Sequence, residues 1–162
     1  MKKLYIIRHA KSSWKDTMLD DFDRPLNKRG KLNAPFMGDI LKNKNISPDI
    51  IISSPALRAK KTAEIIAEKT AYSKEIKFDR NIYEAETQEL YKILSMVSDD
   101  EYIVFLFGHN PTLNMFAEEY VNFHDNIPTC GIVEIEFTCS KWADISAKNA
   151  RLKSFEYPKK YD

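Results

Sequence analysis

The sequence predicts an α/β protein, a three-layer α/β/α sandwich around a mostly parallel central sheet. Short β-branched or aromatic runs alternate with amphipathic helical stretches along the whole chain, the pattern of strand, helix, strand units. The run YIVFLFG, ending at Gly108, is hydrophobic without a break, as suits a strand covered on both faces. At 162 residues, 43% of them hydrophobic, and with no linker, repeat or low-complexity tract, the chain fits one domain over 1–162.

LYII, from Leu4 to Ile7, is the first strand, stopped by the charged pair Arg8 and His9. After the polar loop DTMLDDFDRPLN, Asn27 caps a helix over 28–42 that turns Leu32, Phe36, Ile40 and Leu41 inward. Pro35 inside it predicts a kink or a late start. DIIISS, Asp49 to Ser54, is the second strand, and Pro55 takes the first helical position of a helix over 55–68. Leu57, Ala59, Ala63, Ile65, Ile66 and Ala67 lie on or near one stripe of that helix. EIKFD is a brief third strand, and a helix over 87–97 buries Leu90, Ile93, Leu94 and Val97. The fourth strand, 102–108, runs into His109; Asn110 suits an N-cap and Pro111 the first turn of the helix PTLNMFAEEYV. IVEIEF alternates as a strand with one wetter face, and RLKSFEY is the last strand.

Twenty-five basic residues face twenty-four acidic ones, so no overall field marks nucleic acid or an anionic membrane as a partner. An anionic ligand needs a local cluster. No window holds a signal-peptide core or the roughly eighteen apolar residues of a membrane span, and a cytoplasmic protein is expected. Cys130 and Cys139 lie outside any CxxC or Cys/His pattern and read as reduced thiols. Neither a GxxxxGK[ST] loop nor a GxGxxG turn is present, so a nucleotide site has no support. The mixed surface charge suits a monomer.

The unusual polar residues fall at strand ends. Arg8 and His9 follow the first strand, Arg58 lies one turn into the helix after the second, and His109 follows the fourth. Singly, these are a solvated strand end, an exposed helix arginine and a capping histidine. If the strands are parallel, all of them meet at one sheet edge, where open α/β folds bind ligands. Guanidinium groups beside imidazoles make an electropositive pocket suited to a phosphoryl group, and the helices starting beyond Ser54 and Asn110 aim N–H groups toward it. A metal site fits poorly, because arginines accompany these histidines where carboxylates or thiolates would be needed. The third histidine, His124, reads as a plain loop residue.

The segments carrying these residues, IIRHAKSS, ISSPALRAKKTA and FGHNPTLN, resemble the RHG, SSPxxRAxxTA and GHNP segments of the histidine phosphatase superfamily. Ala10 stands where that family usually has glycine. The short length, DRPLNKRG at Asp23 to Gly30 and PTCGIVEIEF resemble the SixA-type phosphohistidine phosphatases within it. The resemblance implies that His9 is the nucleophile, that Arg8 and Arg58 clamp the phosphoryl group, and that His109 is the second pocket histidine. It adds Arg24 of the RPL segment as a substrate-binding residue. It places a proton-donating carboxylate at Glu84, with Glu86 as second choice. The implied enzyme is a phosphatase of phosphohistidine or other phosphorylated protein side chains, needing no metal or other cofactor and forming a phosphohistidine on His9. A phosphatase of small phosphoesters and a non-catalytic phosphoprotein-binding module are the alternatives. Lys11 to Ser13 are expected to shape the pocket wall without taking part in the chemistry.

Overall fold

The hydrophobic runs at 2–8 and 103–108 lie side by side at the centre of one six-stranded sheet. A computed structural model describes residues 1–162. Its elements in chain order are β1 (Lys2–Arg8), α1 (Lys28–Asn43), β2 (Ile50–Ser53), α2 (Leu57–Lys69), β3 (Lys77–Phe78), α3 (Thr87–Ser95), β4 (Ile103–Gly108), α4 (Thr112–Val121), β5 (Ile132–Phe137) and β6 (Ala150–Glu156). The sheet order is β3-β2-β4-β1-β5-β6. β3, β2, β4 and β1 run parallel, β5 is antiparallel to β1, and β6 is antiparallel to β5.

Successive side chains of a strand point to opposite faces, so each central strand feeds both cores. Tyr5, Ile7, Phe105 and Phe107 pack under α1 and α2 with Met37 and Ile66. Leu4, Ile6, Val104 and Leu106 pack under α3 and α4 with Leu90 and Phe116. The helices therefore cover the sheet on both sides, as the uninterrupted YIVFLFG run requires. No helix is long and apolar enough to cross a membrane.

Several local expectations are corrected. α1 begins at Lys28 and runs unbroken through Pro35 to Asn43, with neither a late start nor a break. Proline removes one N–H from the ladder, but the Asn27 side chain accepts from Gly30 N at 2.8 Å, and the helix buries a continuous face. That face is Gly30, Ala34, Met37, Gly38 and Leu41, whereas Leu32 and Phe36 are 65% and 41% exposed. Small residues win the inner face because α1 lies close against α2: a Cβ on Gly38 would sit 2.7 Å from the Lys69 Cβ.

α2 starts at Leu57, not Pro55; Ala56 is extended, and its N–H donates to Ser54 Oγ at 3.2 Å. α4 starts at Thr112 with Pro111 as N-cap, while the Asn110 side chain accepts from Asn114 N at 3.0 Å. Asn110 thus caps from one position further out than expected. The wetter face of β5 is drier than its alternation suggests. Glu136 is buried between Lys3 and Arg151 on the neighbouring strands, and opposite cross-strand charges accommodate it there.

Gly30 packs its Cα against the backbone of Lys11, leaving no room for a side chain. Gly30→Ala should therefore destabilise the fold by about 1–3 kcal/mol, read as a lowered midpoint in urea unfolding.

Candidate active site

Register decides the site. Arg8 pairs with Gly108 across β1 and β4, so the next residues, His9 and His109, leave the sheet together, their ring centroids 5.2 Å apart. His9 N–H donates to Gly108 O at 3.1 Å and Ser54 N–H to Phe107 O at 3.0 Å, which ties the chain segments after β1, β2 and β4 into one edge.

His9 is buried, and its Nδ1 lies 2.7 Å from the Ala10 carbonyl oxygen. A carbonyl only accepts, so Nδ1 carries the proton and Nε2 keeps its lone pair. The Nε–H of Arg58 donates to that Nε2 at 3.4 Å. Burial pulls the imidazole down to about 4; the Ala10 carbonyl opposes this, and the charges of Arg58, Arg8 and Arg24 reinforce it. His9 is therefore a neutral imidazole with a bare nitrogen facing a cation. Ala10 is fully buried, its N–H donates to Thr62 Oγ1 at 2.9 Å, and its φ is not positive, so glycine's freedom is not needed there.

His109 Nε2 lies 2.8 Å from Ser54 Oγ. That hydroxyl already accepts from Ala56 N, and its own proton is free to donate to Nε2. His109 Nδ1 is buried without a partner, as is Arg8 Nε. An unpaired buried guanidinium N–H is costly, and in a cationic pocket an anionic oxygen is an acceptor that satisfies it. Burial, then the charges of His9 and Arg58, hold His109 down at about 3. Arg8 donates from Nη1 to Ile127 O at 3.0 Å; burial and the Arg58 charge lower its guanidinium.

Arg58, the second residue of α2, is buried in the first turn of the helix. Its Nη1 donates to Asp21 O at 2.7 Å and its Nη2 to Asp21 Oδ2 at 2.9 Å. Arg24, also buried, donates to Asp21 Oδ1 at 2.9 Å, Ser12 Oγ at 2.5 Å and Ser13 O at 3.1 Å, with its guanidinium against the Trp14 ring. Tyr83 donates to Asp21 Oδ2 at 2.7 Å and stands edge-on to His109. Asp21, Tyr83, Ser54 and Thr62 carry none of the roles expected from the sequence. The legible trace of Asp21 is its spacing three residues before Arg24 in DDFDRPL.

Arg8, His9, Arg58 and His109 thus converge as expected, and Arg24 lies close enough for its charge to act on His9. Glu84 and Glu86 line the same cavity of about 400 Å³ as Arg58 and His109, but both are exposed. Glu84 sits in a left-handed backbone conformation, and Glu86 caps α3, its N–H held by Glu89. Of Lys11 to Ser13, Ser12 and Ser13 accept hydrogen bonds from Arg24. No group of three or more His, Cys, Asp or Glu side chains is placed to hold a metal ion.

The model of the histidine phosphatase superfamily (branch 1) matches residues 4–95, more than half of the chain and the part that carries His9 and Arg58. The chain belongs to the histidine phosphatase superfamily. Among solved structures, a protein from Agrobacterium tumefaciens assigned as the phosphohistidine phosphatase SixA is 26% identical, with TM-score 0.82 over 97% of this chain and 98% of that one. The protein histidine phosphatase SixA complexed with tungstate shares the fold at TM-score 0.85 and 18% identity, covering 99% of each chain. An uncharacterized chloroplastic protein of Arabidopsis thaliana is 28% identical over 155 residues, 90% of this chain and 71% of its own. Superfamily membership and the SixA fold support a phosphatase.

For this superfamily member the neutral histidines set a pH dependence. His9 drops from 6.5 to about 4 on folding, so between those values the unfolded chain binds a proton that the folded chain does not. Its contribution is fully present above 6.5 and is lost as the pH falls toward 4. Of the stability lost between pH 7 and about pH 5 in urea unfolding, His9 should account for about 1–2 kcal/mol, and His9→Gln should shrink the loss by about that amount.

Proposed function

We propose that this protein is a metal-independent phosphatase that accepts a phosphoryl group on His9 Nε2 from phosphohistidine, or another phosphorylated side chain, of a protein. The observation that carries this reading is the His9 imidazole itself: neutral, fixed by the Ala10 carbonyl, with its bare nitrogen beside Arg58. A buried histidine held for structure alone has no need of an unprotonated nitrogen turned toward a guanidinium group.

In the first step Nε2 forms a bond to phosphorus as the bond to the leaving group breaks in line, and the electron pair leaves with that group. Arg58, Arg8 and His109 face the equatorial oxygens, and the guanidinium groups neutralise them, the electrostatic role that a metal ion plays in other phosphoryl transfers. Water then attacks phosphorus, the N–P bond breaks, and inorganic phosphate leaves with His9 restored. Where the leaving group is an imidazole, it departs more readily than an alkoxide and asks less of a proton donor. This agrees with Glu84 being exposed at the rim and without a side-chain hydrogen bond. Glu84 remains the proposed donor for poorer leaving groups, with Glu86 held at the start of α3 as the second carboxylate.

The open site favours a protein substrate over a small one. The cavity is bounded by the short segments 83–86 and 109–112 and Met115, and Trp14 and Met18 lie exposed on the loop that carries Arg24. The similarity to the SixA protein from Agrobacterium tumefaciens supports the same choice.

Incubation with a phosphohistidine-bearing protein and, separately, with 3-phosphoglycerate tests the reading. Faster turnover of the protein, with label trapped on His9 after a rapid quench, is expected. Faster turnover of the phosphoglycerate would move the assignment to small phosphoesters, and no hydrolysis of any phosphorylated substrate would leave a binding module. His9→Ala should abolish turnover while retaining phosphate binding. Arg58→Ala should lower kcat/KM by about 10²–10³-fold, measured in the same assay.

A further inference from the structure

Asp21 is the densest polar junction at the site, although the sequence places it in a loop rich in charges. Its Oδ1 accepts from Arg24 and its Oδ2 from Arg58 and Tyr83, and its own carbonyl oxygen accepts from Arg58 Nη1. Arg58 is held by both Nη atoms along one edge, so the guanidinium plane is fixed with Nε on His9 and one N–H of each Nη uncommitted. Arg24 is fixed likewise between Asp21, Ser12 and Ser13. Tyr83, held by the same carboxylate, sets the wall against which His109 rests.

The charge of this junction matters as much as its geometry. With both histidines neutral, the cations around the site are Arg8, Arg24 and Arg58, and Asp21 is the carboxylate paired with two of them. An unopposed trio of guanidinium groups in a half-dry pocket would bind a phosphate dianion tightly and release it slowly. A carboxylate bound to the outer edges of two of them lowers that attraction and still leaves their inner N–H groups in place.

We propose that Asp21 is a positioning residue of the phosphoryl site: it fixes Arg58 and Arg24 toward His9, and its negative charge holds down affinity for the released phosphate. This rests on the reading that His9 receives a phosphoryl group. It concerns a residue that reaches the reacting atoms only through the arginines.

The test compares the wild type with Asp21→Asn, which keeps the shape but removes the charge and turns an amide NH₂ toward donors. Asp21→Ser is the second variant. The probe is inorganic phosphate, with affinity measured by calorimetry and turnover on the phosphohistidine protein measured separately. The side chain is 46% exposed, and thermal unfolding checks that the fold persists. About tenfold tighter phosphate binding in Asp21→Asn, with kcat about tenfold lower, is expected. A residue that only holds the loop together would weaken phosphate binding or leave it unchanged, and either result overturns the proposal, as does an unchanged kcat. Because phosphate binding needs no turnover, a wild type that hydrolyses nothing defeats the phosphatase reading alone. In that case the phosphate affinities of the variants decide the role of Asp21.

Discussion

The parallel pairing of β1 with β4, in which Arg8 lies opposite Gly108, is the constraint on which the rest of the site depends. It sends His9 and His109 out of the sheet at the same height, and the pairing of β2 with β4 brings Ser54 beside them. Hydrophobic residues drive the pairing: Ile6 and Leu106 point into one core, Ile7 and Phe107 into the other. Slipping the register by one residue would exchange the faces of an entire buried strand. The energy that stabilises the fold is thus the same energy that keeps the two imidazoles 5.2 Å apart.

On that frame the electrostatics are arranged in opposition. Burial and surrounding guanidinium groups both disfavour a charged imidazole, so His9 stays neutral where a free histidine would begin to protonate. The Ala10 carbonyl selects the tautomer, and the cations that suppress protonation are the groups suited to an incoming phosphoryl oxygen. Asp21 offsets part of this concentration of positive charge: hydrogen bonds from Tyr83, Arg24 and Arg58 overcome the effect of burial and hold its carboxyl well below the usual carboxylate range. A neutral imidazole in a cationic site, with one carboxylate paired to two of the arginines, is a consistent electrostatic whole.

Much of this was legible in the sequence because it follows from order and spacing. Alternating strands and helices define the layers, and parallel connections place Arg8, His9, Arg58 and His109 at one edge. Lost to sequence reasoning were features set by close approach. The inner face of α1 could not be read from hydrophobicity, because Gly30 and Gly38 are inside for want of room while Leu32 and Phe36 are outside. Helix starts moved by a residue or two where Ser54 and Asn110 side chains, rather than the prolines, took the backbone N–H groups. Asp21 was hidden among neighbouring aspartates, since what sets it apart from Asp20 and Asp23 is the arrival of Arg58 from another element.

The central claim is that His9 is a neutral imidazole protonated on Nδ1, with Nε2 free to attack. Nitrogen-15 NMR of the histidine-labelled protein measures this directly. It should show the His9 Nδ1 protonated and Nε2 bare at neutral pH, with no titration of the ring down to about pH 5. A His9 ring that titrates near the ordinary histidine value, or that carries its proton on Nε2, would contradict it.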